Sequence, residues 1–393
     1  MSKYTDESVP VTASMQTYAN GINTDNFNIG IYTDPHYDIR DLYPNGLNSN
    51  YVYGRYGQSS LISILKSMGN TADVLHLNGD NVNGITTELA NNQKQNKVML
   101  SSWFSDGYGV TADRTATIGN HDDGSPHASV GNLDLLNSSN TVSVEWFQNN
   151  IQYPSGSVRD TGSLSFYKDY VAKKVRYIVL DTEEPPLTVN TAGNYVYNRW
   201  LWHGLTQHTL SWLVDSALKN VPADYTTLVV THCPIWFNDG KDYQWGDSGA
   251  NMVNFEVFTG ILNAFITGTK YTSEKSAQSV HDWLNIVHKN SSEFTNNYPV
   301  SIYGAGWEIN ITADFSTQGK RKFAGVFSGH THQEKLSKID NFYSVQLQHG
   351  FPWKNKDLGT DNQLGFTTIS IDTINQQVEL IGFGYASNRS YKY

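Results

Sequence analysis

The stretch that decides the fold is Thr117-Ile118-Gly119-Asn120-His121-Asp122, an apolar run that breaks at a glycine and then presents an amide, an imidazole and a carboxylate in consecutive positions. A β-strand that stops on glycine can turn sharply, which leaves the following residues at the carboxyl edge of the sheet, where open α/β sheets bind ligands. Asn, His and Asp are also common in ordinary turns, so this stretch alone does not establish a site. Its significance depends on similar stretches elsewhere in the chain.

Four other predicted strands end in the same way. They lead into Asp34-Pro35-His36, Gly79-Asp80, Thr231-His232 and Gly329-His330-Thr331-His332. Two residues that alternate along an extended segment point to the same side, so Asp34/His36 and His330/His332 can each supply two ligands to one place. The set combines carboxylate, amide and imidazole groups without a thiolate, which suits divalent or mixed-valence ions of the Mn, Fe, Zn or Ni type.

These residues are numerous enough to hold two ions, and a shared carboxylate is the natural bridge between ions about 3.5–4 Å apart. We predict that Asp80 is this bridge. Such a pair of ions polarises a phosphoryl oxygen and generates hydroxide for in-line attack near neutral pH. His121, which follows the predicted ligand Asn120, is then placed to protonate the leaving alkoxide.

Together the five motifs resemble the conserved blocks of the calcineurin-like metallophosphoesterases, in the same order and across about residues 27–332. The resemblance implies an α/β (α+β) fold, a four-layer αββα sandwich of two mixed β-sheets flanked by helices. It also implies a dinuclear site at the carboxyl edges of the strands, with His121 as the catalytic histidine. By position in the motifs, one ion is held by Asp34, His36 and His332, the other by Asn120, His232 and His330, and both by Asp80.

Two features depart from the family pattern. The second block often ends in an aspartate that supports the catalytic histidine, but Asn83 occupies this place. An amide cannot stabilise an imidazolium as a carboxylate does, so we predict that His121 stays neutral more readily or that Asp122 or Asp123 substitutes. The second departure is a long insertion between the last two metal-binding motifs, His232 and Gly329.

We therefore predict a lead-in over residues 1–26 and a metallophosphoesterase domain over 27–393, with 235–320 as a cap or insertion. The remaining histidines are predicted to be structural. His203, His208, His281 and His288 fall in predicted helices, His127 and His349 in loops, and His76 in a buried strand.

Composition narrows the function further. The net charge of −10 and the pI near 5.6 exclude a general basic surface for nucleic acids or anionic membranes. The single cysteine, Cys233, excludes an intramolecular disulfide and multi-cysteine metal sites. The sequence shows neither a signal peptide nor a membrane-spanning run, which predicts a soluble protein that is cytoplasmic or associated with a virion or the cell exterior.

The predicted function is hydrolysis of a phosphoric ester. A phosphodiester is favoured because few lysines and arginines lie near the motifs to compensate the charge of a dianionic monoester. The polar, aromatic composition is compatible with a glycerol- or sugar-phosphate polymer such as teichoic acid, by analogy with phage tail enzymes. One alternative is a structural, polymer-binding protein of a phage tail or adhesion apparatus. Another is an intracellular nucleotide phosphodiesterase or a phosphomonoesterase.

Overall fold

The structure, a computed structural model, describes residues 11–38, 54–84, 88–125, 138–191, 193–200, 202–235, 252–288, 304–351 and 360–393. Side chains are described throughout these ranges except at residues 11, 12, 55 and 283–288. The predictions for residues 1–10, for His127 and for the parts 236–251 and 289–303 of the predicted insertion lie outside the described residues.

Helices and strands are numbered here in chain order. The helices are α1 (Val11–Asn20), α2 (Gly57–Met68), α3 (Leu89–Trp103), α4 (Val144–Asn150), α5 (Gln207–Trp212), α6 (Phe255–Thr267) and α7 (Ala277–His288). The strands are β1 (Phe27–Tyr32), β2 (Val74–Asn78), β3 (Asp113–Thr117), β4 (Val158–Arg159), β5 (Phe166–Tyr170), β6 (Val175–Leu180), β7 (His203–Gly204), β8 (Thr226–Thr231), β9 (Met252–Val253), β10 (Lys270–Lys275), β11 (Ile309–Asp314), β12 (Lys322–Ser328), β13 (Lys335–Ile339), β14 (Phe342–Gln346), β15 (Gly365–Asp372), β16 (Gln377–Gly384) and β17 (Arg389–Lys392).

Two large mixed sheets form the centre of the fold. One has the strand order β17-β16-β15-β1-β2-β3, and the other β13-β14-β12-β8-β6-β5-β4. In the first sheet β1, β2 and β3 are parallel, and in the second β6, β8, β12 and β14 are parallel. Their carboxyl ends supply the loops that contain all five sequence motifs.

Alternation along the strands explains why the sheets pack face to face. Phe27, Ile29 and Ile31 of β1 face the core between the sheets, where they meet residues such as Tyr177 and Val179 of β6. Residues of opposite parity face outward and are covered as well, so β1, β2, β6 and β8 are buried along their whole length. Each sheet therefore requires a helical layer on its outer face.

The two outer layers complete an αββα sandwich. Helices α1 to α4 cover the first sheet through a core that includes Met15, Leu61, Met99 and Phe147. Helices α5 and α6 cover the second sheet through a core that includes Leu210, Leu213 and Phe258. The predicted fold class is confirmed.

Several details were not predicted. The expected irregular lead-in contains helix α1, whose Tyr18 hydroxyl donates a hydrogen bond to the Ile381 carbonyl oxygen at 2.6 Å. Helix α5 is capped by Thr206, whose Oγ1 accepts from the Thr209 amide, and the chain then continues as a π-helix over Leu213–Ala217. Within the predicted insertion, α6 belongs to the core of the sandwich. The domain bounds stay predictions.

Candidate metal centre

The loops after the parallel strands are tied to one another by backbone hydrogen bonds. The amides of Asp34 and His36 donate to the carbonyl oxygens of Gly79 and Asp80, at 3.0 Å and 2.9 Å. On the other sheet, the Gly329 amide donates to the His232 carbonyl oxygen at 3.0 Å. The two sheets thus present their motif side chains at one edge, and seven residues predicted as metal ligands lie there together.

One group comprises Asp34, His36, Asp80 and His332. Each offers one potential ligand atom, and these atoms lie within 4.8 Å of one another. His36 Nε2 and His332 Nε2 are only 2.9 Å apart, and His332 Nε2 lies 3.4 Å from Asp34 Oδ1. The side chains therefore converge on one point, as ligands of a common cation would.

A second group comprises Asp80, His232 and His330, whose ligand atoms also lie within 4.8 Å of one another. His232 Nε2 is buried 3.4 Å from Asp80 Oδ1 and has no hydrogen-bond partner among the described residues. Because Asp80 belongs to both groups, it occupies the position of a bridging carboxylate. A buried nitrogen without a hydrogen bond is costly unless a ligand satisfies it.

Asn120 adds an amide to the second group. Its Oδ1 lies 3.1 Å from His330 Nδ1 and 3.1 Å from both carboxylate oxygens of Asp80. An amide oxygen that faces two carboxylate oxygens and an imidazole nitrogen is repelled by them. This repulsion is relieved if the amide turns its nitrogen inward or if a cation lies among these atoms. The donor set therefore fits a cation at this position.

The backbone of the site is strained in a way that matches a functional role. Asp34, His36, Asp80, His330 and His332 all adopt positive φ angles, between 43° and 68°. A positive φ is uncommon for residues other than glycine, and such strain persists mainly where the surrounding structure enforces it. Each of these five residues is a predicted metal ligand.

The glycines of the motifs leave room for the site. A Cβ added to Gly79, whose φ is +80°, would lie 2.5 Å from His232 Nδ1. A Cβ on Gly119 would collide with Asp80 Oδ1, and one on Gly329 with Asp34 Oδ2. The motifs therefore require glycine because any side chain would enter the space of the ligands.

The electrostatics favour ligand forms at most positions. Burial lowers the pKa of His36 and of His330 well below the usual histidine value, so both are neutral imidazoles. Burial by itself raises the pKa of Asp80, but His121 and His232 outweigh it and keep this pKa well below its usual range. Burial opposes the charge on His232 too, yet Asp80 raises the pKa of His232 to about 10.

His121 lies beside both groups but is held differently. Its Nδ1 lies 2.7 Å from the backbone oxygen of Asn83, so Nδ1 carries the proton and Nε2 is directed toward Asp80 Oδ2, at 3.8 Å. The residue that replaces the family aspartate thus orients His121 through its main chain. Burial lowers the pKa of His121, while Asp80 opposes this shift.

Asp122 and Asp123 have other partners. Asp122 accepts hydrogen bonds from the amides of Gly119 and Val82, at 2.7 Å and 2.9 Å, so it fixes the loops around the site. Asp123 accepts from Arg199 at 3.1 Å. Neither is hydrogen-bonded to His121 Nδ1 in the described structure, and the catalytic role of Asp122 stays a prediction.

Several neighbours of the site were missed in the sequence. His203 lies in strand β7 rather than in a helix, and its ring centroid is 4.9 Å from that of His330. The Trp200 ring lies 4.7 Å from the His121 ring, and Phe351 packs against His36 at 5.4 Å. These residues belong to none of the five motifs. They are brought to the site by the fold, so the sequence pattern gave no sign of them.

Comparison with known proteins agrees with this geometry. The sequence profile of the family described as calcineurin-like phosphoesterase matches residues 27–268. This match covers more than half of the sequence, and the chain therefore belongs to the calcineurin-like phosphoesterase family. The matched region ends before His330 and His332, which the structure nevertheless brings to the same site.

Similar solved structures include a dimetal phosphatase from Danio rerio, with 13% sequence identity, 93% of this chain and 99% of that chain covered, and a TM-score of 0.47. Another is a candidate 5′-nucleotidase from Staphylococcus aureus in complex with α-ketoglutarate, with 13% identity, 93% and 54% coverage, and a TM-score of 0.35. No curated protein matches the chain significantly. Among the described residues, no helix combines the length and apolar character needed to cross a membrane.

Proposed function

We propose that the protein is a metal-dependent phosphoric ester hydrolase that prefers diesters. The observation that carries this proposal is the convergence of seven predicted ligands from five strand ends into two groups that share Asp80. In this proposal Asp34, His36 and His332 form the first metal position, and Asn120, His232 and His330 form the second. Metal ions at such positions polarise the phosphoryl group and supply the nucleophile from water near neutral pH.

His121 supplies the proton that the leaving group requires. Its Nδ1–H is held by the Asn83 carbonyl oxygen, which fixes the ring and leaves Nε2 directed toward the site. Because Nδ1 keeps its proton, donation from Nε2 requires the imidazolium form, which the carboxylate of Asp80 favours against the effect of burial. The Nε2 proton of this form can then pass to the departing alkoxide. General acid catalysis of this kind contributes about 10²- to 10⁴-fold to the rate.

The preference for diesters rests on the charges near His121. The buried guanidinium of Arg199 donates to Asp123 at 3.1 Å and to the Glu183 carbonyl oxygen at 2.7 Å. Its charge is thus already compensated by a carboxylate. A dianionic monoester gains more than a diester from additional cations, so a site whose nearby arginine is paired suits the monoanionic diester better.

Trp200 adds an apolar surface to the substrate side of His121. Its half-buried ring stands at 84° to the imidazole, with 4.7 Å between the ring centroids. An aromatic edge beside the general acid can contact the leaving group of the substrate. A glycerol- or sugar-phosphate diester, including a polymer such as teichoic acid, is therefore a substrate class that we propose for testing.

The test is hydrolysis of bis(p-nitrophenyl) phosphate and of p-nitrophenyl phosphate by protein stripped of metal and then supplied with Mn, Zn, Fe, Ni or Mg. We expect turnover that requires added metal and is faster for the diester. Asp80→Ala should remove it. Metal binding without turnover of either ester, or of a glycerol-phosphate polymer, would contradict the proposed hydrolase and favour a binding function.

A further inference from the structure

Behind the second metal position lies a buried carboxylate that belongs to none of the five motifs. Glu183 follows strand β6 and is fully buried. Its Oε2 accepts a hydrogen bond from His203 Nδ1 at 2.8 Å, and its Oε1 accepts one from Cys233 Sγ at 3.2 Å. One carboxylate therefore holds two side chains that come from different loops.

His203, the first partner, packs against the predicted ligand His330. Their ring centroids are 4.9 Å apart, and the rings cross at 64°. The group of Asp80, His232 and His330 does not include His203, although a ligand atom of His203 lies within 4.8 Å of one on His330. His203 thus contacts the ligand ring rather than the metal position itself.

Cys233, the second partner, directly follows the predicted ligand His232. Its amide donates to Thr182 Oγ1 at 3.1 Å while its thiol donates to Glu183. These two hydrogen bonds tie the residue that follows His232 to Thr182 and to Glu183.

We infer that Glu183, His203 and Cys233 form a bracket that orients His232 and His330, the two histidines of the second metal position. All three are positioning residues for this metal site, and the inference rests on the metal positions of the proposed function. Outer contacts that fix the rings of metal-ligating histidines typically change metal affinity about 10- to 100-fold. Loss of the bracket should therefore weaken binding of the second ion and leave binding of the first ion unchanged.

The chain contains a matched control. His208 and Asp160 form another histidine–carboxylate pair, with His208 Nε2 2.8 Å from Asp160 Oδ1, but the His208 side chain is exposed and the pair shares no residue with the metal groups. Breaking this pair removes a similar hydrogen bond but leaves the predicted metal ligands untouched. His208→Gln therefore separates a general loss of stability from an effect on metal binding.

The experiment is a calorimetric titration of the full chain with Mn²⁺, repeated with Zn²⁺. We expect two ions per unaltered chain, and in Glu183→Gln and in His203→Gln a second ion bound about 10- to 100-fold more weakly. His208→Gln should bind both ions as the unaltered chain does. Cys233→Ala should weaken the second ion, and Cys233→Ser, which keeps a donor, should restore it.

The possible results test the bracket and the proposed metal site independently of each other. If the unaltered chain binds two ions and Glu183→Gln and His203→Gln bind both equally tightly, the bracket is wrong and the proposed metal site stands. If the unaltered chain binds neither Mn²⁺ nor Zn²⁺, both proposals fail. Circular dichroism checks folding; should Glu183→Gln not fold, the difference between Cys233→Ala and Cys233→Ser decides, and equal affinities overturn the bracket.

Discussion

The two proposed metal positions are supported in different ways. Behind the first, the buried ring of Phe351 packs against His36 and His332, with ring centroids 5.4 Å and 5.3 Å apart. Behind the second, Glu183 holds its neighbours through hydrogen bonds. Apolar packing restrains a ring through many weak contacts, whereas a hydrogen-bonded carboxylate fixes it through a few strong, directional ones.

This difference implies different sensitivities to mutation. A side chain of similar volume can replace much of the packing behind the first position, since cores tolerate swaps that conserve volume. At the second position His232 Nδ1 donates to the Asn78 carbonyl oxygen at 2.8 Å, whereas His203 and Cys233 both depend on Glu183 as acceptor. A buried donor left without its partner costs the full desolvation of that group. We therefore compare three kinds of variant: at a residue shared by the two positions, at a residue beside them, and at a residue behind one of them. Their effects on activity and metal binding should differ strongly.

The largest effect is expected for Asp80→Asn, because Asp80 belongs to both groups. The amide keeps the shape of the side chain but removes the charge that bridges the positions. If the ions supply several kcal/mol of transition-state stabilisation, activity falls about 10³-fold or more. Steady-state hydrolysis and the metal content after dialysis measure this. Asp372→Asn, at the last residue of β15, should change neither. Two retained ions in Asp80→Asn would contradict the bridging role.

A smaller effect is expected for His121→Asn, which lies beside both positions and is predicted to bind neither ion. Loss of the general acid lowers kcat about 10²-fold for an alkyl leaving group. The loss should be much smaller for p-nitrophenolate, which departs without a proton. Comparing the two substrates, together with Mn²⁺ titration, tests this role. An equal loss for both leaving groups, or loss of an ion, would assign His121 to metal binding instead.

Packing behind the first position should tolerate change. Phe351→Leu keeps most of the buried volume and should lower the free energy of unfolding by about 1 kcal/mol. Both ions should still bind, within about threefold of the unaltered affinity, in contrast to Glu183→Gln. Thermal unfolding and calorimetry give the two quantities. Release of the first ion from Phe351→Leu would show that aromatic packing fixes His36 and His332 as firmly as hydrogen bonds fix the second position.

The sequence predicted the parts of the site that follow from local patterns. Parallel strands could be recognised because both of their faces are buried, which makes runs such as Val175–Leu180 largely apolar. Glycines mark the ends of several of these strands because a side chain there would enter the site. Strand ends and motif residues could therefore be identified from the sequence without knowledge of the packing.

The remaining parts depend on contacts between distant segments. His203 was assigned to a helix because nothing in its neighbourhood indicates a two-residue strand, β7, whose partner β9 is Met252–Val253. The amphipathic ribbon of β10 and β11 was missed because its two strands are distant in sequence, with 33 residues between the nearest partners, Lys275 and Ile309. The support of His121 by the Asn83 main chain could not be predicted either, since a backbone oxygen leaves no signal in the side-chain pattern.

The smallest effect on catalysis is expected for Trp200, which touches His121 but neither metal group. An edge-to-face aromatic contact contributes about 0.5–1.5 kcal/mol, so Trp200→Ala should lower kcat/KM about two- to tenfold, and Trp200→Phe less. Trp212→Ala is the matched control, because Trp212 packs on Tyr167 at 6.2 Å. If Trp200 only steadies His121, kcat falls for every substrate. If it also contacts the leaving group, KM rises more for an aromatic diester than for a glycerol diester, and this split would identify the tryptophan as a determinant of substrate specificity.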